Sequence, residues 1–398
     1  MAVEMEEEEF RFNVLIVGKT GVGKSTFINY LYGDEVRETG TGAPITDGFE
    51  ATQFNLNGFP VNVFDSKGLE AGEADEWFKD LERELKRRDI SSEIEDWFHT
   101  AFYCFDAGGH RVEGFDIKII RKLLKEDHEV NIILTKADQA SKEEIEEMKE
   151  EINNKLTKDL PIIPVCSEEK ELFSGAKVEP FGREKVEEYM VEGLWDSLAN
   201  RLPQKCVVEL NYIVEAWYKE QLTYIDENIG YFNGKEIVDN LNQRIENFVE
   251  DLNEEIVQEV VSTKLKKLST IYSKYSSYLE YKKVNFPNYK EILESIEQLG
   301  DKIGAADKIL KGVAIGVGGK ALFGMLALKI PFIAIPALLI GMTVKKEKTK
   351  SVLEDKLAET KGKIKDGVYK LGPELKELFK ELKNYYDGED HFLEGEKN

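Results

Sequence analysis

A short glycine-rich run, Gly18-Lys-Thr-Gly-Val-Gly-Lys-Ser25, constrains the fold of this chain more than any other sequence feature. It lies between the apolar run Phe12–Val17, which predicts a buried strand, and Thr26–Leu31, which predicts a helix. Glycines allow backbone N–H groups to converge on phosphate oxygens, and a helix N-terminus adds partial positive charge. The pattern therefore predicts a phosphate-binding loop, in which Lys24 reaches the β- and γ-phosphates and Ser25 binds Mg²⁺. The residues expected to contact nucleotide here are Gly18, Thr20, Gly21, Val22, Gly23, Lys24, Ser25 and Thr26.

The first half of the chain alternates apolar runs with charged helical segments, which is typical of a parallel α/β sheet. Further strands are predicted at Ala51–Leu56, Val61–Phe64, Ala101–Phe105, Val130–Leu134 and Ile162–Val165, and helices at Asp75–Lys86 and Ser141–Leu156. After Phe181 the strand pattern fades, and apolar residues recur at helical spacing. We therefore expect an acidic extension at 1–10, an α/β domain at 11–200 and an all-α domain at 201–398.

A second motif, Asp65-Ser-Lys-Gly68, follows the predicted strand Val61–Phe64. Alone, an Asp-x-x-Gly sequence is only a turn. Its position at the carboxyl end of a strand is where ligands gather in open α/β sheets. We expect Asp65 to hold Mg²⁺ through water and the Gly68 N–H to meet the γ-phosphate.

A third motif, Thr135-Lys-Ala-Asp138, comes directly after the predicted strand Val130–Leu134. A carboxylate at Asp138 can accept hydrogen bonds from N1–H and N2–H of guanine, whereas adenine lacks that donor pair. The stem of Lys136 would lie against the base. Taken alone, such a tetrapeptide is more often a surface turn than a base-binding motif. Its place after the other two motifs, directly behind a strand, predicts that the nucleotide is GTP or GDP.

In this order, the three motifs resemble those of the P-loop GTPases of the translation-factor-related, Era-like superfamily. The resemblance implies a doubly wound, mostly parallel sheet and Mg²⁺-dependent hydrolysis of GTP. It also implies a switch threonine that closes over Mg²⁺, for which Thr46 is the first choice and Thr39 and Thr41 compete. Ser167, in Cys166-Ser-Glu168, falls where the last base-contacting loop belongs, although the usual Ala and Lys are missing. The catalytic residues implied are Lys24, Thr46 and Gly68, and the metal ligands are Ser25, Thr46 and Asp65.

Two departures from the family pattern concern hydrolysis. Leu69 stands where signalling GTPases place the Gln that orients the attacking water, and an apolar side chain cannot do so. Gly21 replaces the Asn usual in potassium-stimulated members. We therefore expect slow basal turnover and an activating group supplied in trans. The resemblance to septins, immunity-related GTPases and chloroplast-import GTPases implies a homodimer through the G domain. Candidates for the trans-acting group are Arg37, Lys67 and Arg111.

The segment 303–344 departs sharply from the rest of the chain. It is rich in Gly and apolar residues, contains Lys329, Pro331 and Pro336, and is followed by a basic cluster at Lys345–Lys350. A single straight transmembrane helix is therefore not the best interpretation. One alternative is a shallow hairpin that contacts membrane lipid through 312–350. The other is a hydrophobic hairpin buried within the helical domain. An N-terminal G domain followed by a helical half with a late apolar element resembles dynamin-like and immunity-related GTPases.

Composition limits the partners. The chain of 398 residues has 54 basic and 77 acidic residues and a net charge of −23, which argues against nucleic acid as a partner. Three widely separated cysteines and an acidic start favour a reducing, cytoplasmic location, with peripheral membrane attachment in the first alternative. The leading hypothesis is a GTP-hydrolysing switch that couples its nucleotide state to a membrane-associated helical domain. The alternative is a soluble regulatory GTPase whose helical half binds a protein or ribosomal partner.

Overall fold

A computed structural model of the chain describes residues 10–32, 43–46, 49–56, 59–66, 74–109, 111–171, 177–230, 234–279, 335 and 346–386. The chain divides into two compact units, Met1–Arg201 and Leu202–Asn398. Each unit is built around its own apolar core, so the two are described in turn.

The first unit contains a seven-stranded sheet in the order β2-β3-β4-β1-β5-β6-β7. Its strands are β1 Phe12–Gly18, β2 Ala43–Thr46, β3 Phe49–Leu56, β4 Phe59–Ser66, β5 Thr100–Asp106, β6 Val130–Thr135 and β7 Ile162–Pro164. From β4 to β7 neighbouring strands are parallel, whereas β2, β3 and β4 pair antiparallel. Every residue of β1 and β6 is buried, as expected for central parallel strands covered on both faces. The predicted fold class, a mostly parallel α/β sheet, is confirmed.

Helices cover this sheet. They are α1 Lys24–Tyr32, α2 Ala74–Arg87, α3 Gly114–Lys125 and α4 Lys142–Leu156. Helix α4 begins with a capping box, because Ser141 and Glu144 exchange side-chain to backbone hydrogen bonds. A small hairpin of β8 Lys170–Glu171 and β9 Lys177–Val178 follows the sheet. The parallel arrangement brings the carboxyl ends of β1, β4, β5 and β6 to one edge, where the predicted motifs lie.

The described part of the second unit is helical. Helix α5 Arg183–Asn228 begins in the first unit and continues into the second, where α6 Gly234–Asp251, a π-helical turn at Leu252–Ile256, α7 Val257–Leu279 and α8 Lys346–Tyr386 follow. Apolar faces pack the helices together, with Trp217 stacked on Phe248 at 4.6 Å between ring centroids. Glu215 joins α5 to α8 through ion pairs with Lys361 and Lys365. No helix among the described residues has the length and apolar character needed to cross a bilayer.

Nearly all of the predicted apolar hairpin at 303–344 lies outside the described residues. Ile335 is the exception, and it is only 3% exposed. Its backbone N–H donates to Asn242 Oδ1 at 2.7 Å, and Asn242 Nδ2 donates back to the Ile335 carbonyl at 3.1 Å. The side-chain amide of α6 thus satisfies both backbone groups of this buried residue.

Candidate functional site

The glycine-rich loop joins β1 directly to α1, as the sequence predicts. At Gly18 a Cβ atom would lie 2.6 Å from the Cys104 carbonyl of β5, so no larger residue fits. Gly23 has a φ of +94°, in the region that favours glycine. The Phe27 N–H bonds the Gly23 carbonyl at 2.9 Å, and α1 continues from the loop. The first turn of α1, whose N–H groups have no partner within the helix, thus begins at the loop, and such a helix start favours anions.

Lys24 is folded back over its own loop. Its buried ammonium donates to the carbonyls of Gly18 at 3.0 Å and Lys19 at 3.1 Å. Burial lowers the pKa of Lys24, and the negative charge of Asp65 opposes that shift. The ammonium is therefore held inside the loop, where it can meet a phosphate without a large rearrangement.

A second lysine of the loop is anchored from outside. Lys19 Nζ lies 2.8 Å from Asp116 Oδ2 and 3.1 Å from Glu113 Oε2 at the start of α3. Asp116 is 1% exposed and also accepts a hydrogen bond of 2.6 Å from the Tyr103 hydroxyl. Burial and the adjacent carboxylate raise the pKa of Tyr103. This network fixes the loop to β5 and α3, and no local sequence pattern indicates it.

The metal ligands predicted from the sequence lie on different elements of the same edge. Asp65 sits near the end of β4, opposite Ile16 of β1, and Ser25 is exposed in the first turn of α1. The negative charge of Asp65 raises the pKa of Lys24, so the carboxylate acts electrostatically on the loop ammonium. One carboxylate and one hydroxyl are oxygen donors that suit Mg²⁺, which usually takes its other ligands from water and phosphate. These residues therefore fit the ion.

The structure describes only some of the residues predicted to act as switch or trans-acting groups. The backbone of Thr46 is in the edge strand β2 and pairs with Phe49 of β3. Thr39, Thr41, Arg37, Lys67, Gly68 and Leu69 lie outside the described residues. Arg111 is described and exposed. The roles of Thr46 and Gly68 stay predictions.

The Thr135-Lys-Ala-Asp138 motif contacts the phosphate loop directly. Thr135 Oγ1 donates to the carbonyl of Val22 and approaches that of Phe105 at 2.9 Å. Lys136, with a left-handed φ of 53°, places Nζ 2.9 Å from the Gly21 carbonyl and 2.6 Å from Asp106 Oδ2. Side chains of the base motif thus support the backbone of the phosphate motif.

Asp138 faces a cavity of about 110 Å³ that extends to the phosphate loop. The cavity wall includes Gly23, Thr26, Thr135, Lys136, Asp138 and Ser167. Lys170 of β8 also lines it and donates to Asp138 Oδ2 at 2.9 Å. Burial raises the pKa of Asp138, but hydrogen bonds from Lys170 and Cys166 outweigh it, so the pKa is lower than usual. The structure therefore brings together the loop, the base motif and Ser167, and adds Lys170, which sequence reasoning missed.

Comparison with known proteins agrees with this geometry. Residues 13–168 match the family described as 50S ribosome-binding GTPase. Septin-8 of Xenopus tropicalis is 31% identical over 168 residues, which cover 37% of this chain and 39% of the septin. Cell division control protein 10 of Saccharomyces cerevisiae is 26% identical over 188 residues, or 40% of this chain and 57% of that protein. The chain thus spans about two-fifths of the length of Septin-8, and the likeness is to septins rather than to dynamin-like proteins.

Some solved structures are similar to part of this chain. Toc33 from Arabidopsis thaliana, in complex with GDP and Mg²⁺, is 18% identical with a TM-score of 0.33, covering 46% of this chain and 85% of Toc33. The G domain of the Thermotoga maritima (T. maritima) FeoB iron transporter is 18% identical with a TM-score of 0.30, covering 46% of this chain and 98% of that domain.

Proposed function

We propose that this chain, whose residues 13–168 form a P-loop GTPase domain, binds GTP together with Mg²⁺ and hydrolyses it to GDP and phosphate. One observation carries the proposal: a single cavity runs from Gly23 of the phosphate loop to Asp138 of the base motif. The hydrogen bond from Lys136 to the Gly21 carbonyl couples the two motifs. A ligand that fills this cavity would carry phosphate at one end and guanine at the other.

Each residue of the site has a distinct task in this proposal. Lys24 offsets the negative charge of the β- and γ-phosphates, which grows as water attacks the γ-phosphorus. Ser25 and Asp65, with Thr46 as the switch residue, would hold Mg²⁺, which supplies further charge neutralisation when bound. The Gly68 N–H would contact the γ-phosphate. Asp138, Lys136 and Ser167 orient the guanine base.

We further propose that single molecules hydrolyse GTP slowly and that a second copy of the chain activates hydrolysis. Leu69 has no polar group with which to position the attacking water. A second copy that faces the nucleotide would supply a cation from Arg37, Lys67 or Arg111, and the exposed Arg111 supports this because its side chain is accessible. We therefore propose a homodimer through the G domain, with monomers that hydrolyse GTP slowly.

Turnover at increasing protein concentration tests the pairing. The rate of phosphate release per molecule should rise with concentration and then level off as dimers form. Arg37→Ala, Lys67→Ala and Arg111→Ala should be compared with Arg83→Ala, whose side chain is 77% exposed on α2, outside the site. We expect one of the three to abolish the rise and Arg83→Ala to retain it. A rate per molecule that is constant across concentrations would contradict activation in trans.

The role of the helical unit has two candidates. Contact of 312–350 with membrane lipid would make the protein a cytoplasmic GTPase peripherally attached to a membrane. The buried Ile335, with both backbone groups bonded to Asn242, favours packing of that segment within the helical unit. On this ground we favour a cytoplasmic regulatory GTPase whose helical half binds a protein or ribosomal partner.

A further inference from the structure

The base end of the cavity holds an ion pair that the GTPase motifs do not include. Lys170 Nζ lies 2.9 Å from Asp138 Oδ2. The Asp138 side chain is 6% exposed and that of Lys170 is 36% exposed. Lys170 belongs to the β8–β9 hairpin, which begins shortly after Ser167, and it lines the cavity beside the base motif.

A carboxylate as buried as Asp138 needs hydrogen-bond donors. Burial of an unpaired charge is unfavourable, so the folded protein must provide a partner when no ligand does. Lys170 is such a partner, because its ammonium donates to Asp138 Oδ2 at 2.9 Å. The ion pair therefore satisfies Asp138 in the protein without nucleotide.

The same carboxylate is the expected acceptor for guanine. N1–H and N2–H of the base would be directed at its two oxygens, and Oδ2 already accepts from Lys170. We propose that Lys170 is an internal stand-in for guanine, which holds Asp138 in the empty site and is displaced from Oδ2 when the base enters. This inference rests on the proposed role of Asp138 as the guanine reader.

Displacement has two consequences for binding. The free protein is stabilised by the ion pair, so guanine nucleotides bind less tightly than they would to a site without Lys170. Adenine presents no donor pair to the carboxylate, so displacing Lys170 would leave Asp138 without a strong partner. Lys170 therefore competes with both bases for the site. Only guanine can supply Asp138 with hydrogen bonds in place of the one that Lys170 gives up.

Replacement of Lys170 with an uncharged residue of similar length tests the stand-in role. The probe is GDP with a fluorescent ribose label, titrated with Mg²⁺ into the full-length chain. Lys170→Met should bind this GDP about three- to tenfold more tightly than the wild type, in line with an ion pair of modest net value. Lys170→Arg keeps the charge and should bind like the wild type.

A matched control lies in the same hairpin. Lys177 of β9 pairs with Glu169 at 2.5 Å on the surface, with side chains that are 58% and 47% exposed. Lys177→Met removes an equivalent charge from the hairpin without touching Asp138, and should leave GDP affinity unchanged. In the Asp138→Asn background the gain from Lys170→Met should disappear, because the carboxylate for which lysine and base compete is gone.

The outcomes separate this inference from the proposed function. GDP that binds Lys170→Met as tightly as the wild type, or more weakly, would overturn the stand-in role and leave nucleotide binding intact. A wild-type protein that does not bind GDP at all would overturn the proposed function and the inference with it. Equal gains in Lys170→Met and Lys177→Met would show a general charge effect and would also overturn it.

Discussion

Lys24 is held in place by the loop that we propose binds phosphate. Its ammonium bonds two carbonyls of its own loop, and burial lowers its pKa, so a phosphate would enter a site where a positive charge is already partly desolvated. Charge-assisted contacts of this kind are about twice as strong as neutral hydrogen bonds.

Removal of this charge should weaken nucleotide binding strongly. We expect Lys24→Ala to lower the affinity for a non-hydrolysable GTP analogue by about 100-fold or more, the cost of losing one partner of a buried charge contact. Titration calorimetry measures the change. Lys125→Ala, at an exposed position at the end of α3, is the control and should bind normally. Unaltered affinity in Lys24→Ala would mean that nucleotide is not held by this loop.

Residues within one motif could be proposed from the sequence, whereas residues paired across the fold could not. Lys24, Ser25 and Asp138 belong to short patterns with a direct chemical reason. Asp116 and Lys170 lie 97 and 32 positions from the residues that they hold, Lys19 and Asp138. Only the folded sheet brings such pairs together, so spacing along the chain carries no signal for them.

At the scale of elements, the buried parallel strands were the easiest to predict. Each appears as an apolar run, because strands covered on both faces are continuously apolar, and the runs of β1, β4 and β6 lead directly into a motif. Strand β2 and helix α3 were not predicted. Strand β2 is short and contains Pro44, which is tolerated because β2 is at the edge of the sheet. Helix α3 begins at Gly114, a weak start signal, and its N-terminus is held by the Asp116 network.

Arg201 is a buried cation of the first unit that lies near two buried histidines. Arg201 of α5 donates to the carbonyls of Phe98 and Arg88 and lies over the Trp97 ring at 4.4 Å. His99 and His128 are buried nearby. Burial, reinforced by the charge of Arg201, lowers the pKa of each histidine to about 3. Both imidazoles are therefore neutral in the folded protein at any pH near neutrality.

These histidines predict a loss of stability in mild acid. Below pH 6.5 the two histidines are protonated in the unfolded chain but stay neutral in the folded protein. The free energy of unfolding therefore falls as pH drops from 6.5 towards 3. At pH 5 each histidine costs about 2 kcal/mol. Urea unfolding followed by tryptophan fluorescence should show that His128→Gln loses less stability than the wild type between pH 8 and pH 5. Equal losses in the two proteins would contradict neutral burial of His128.

For the whole molecule, the sequence predicted both a fold and a ligand for the α/β half. For the helical half it predicted only secondary structure. Motifs with ligand chemistry occur up to Ser167, whereas apolar residues at helical spacing predict helices without predicting their partners. The 303–344 segment was ambiguous for the same reason, since a run of Gly, Pro and apolar residues suits a membrane hairpin and a buried one. The pairing of Ile335 with Asn242 could not be read from composition.

This pairing makes the two alternatives for the helical unit testable. Asn242→Ala would leave the buried N–H and carbonyl of Ile335 without their partner, at a cost of about 1 to 3 kcal/mol in the free energy of unfolding. The control Asn240→Ala removes an exposed hydrogen bond to Tyr224 and should cost much less.

If the segment packs inside the unit, the wild type should not float with anionic liposomes in GDP or in a GTP analogue, and deletion of Gly312–Gly341 should destabilise the protein. Flotation of the wild type that requires the GTP analogue and is lost with the deletion would instead favour membrane contact, because a segment that serves as core in both nucleotide states has no apolar surface to offer lipid.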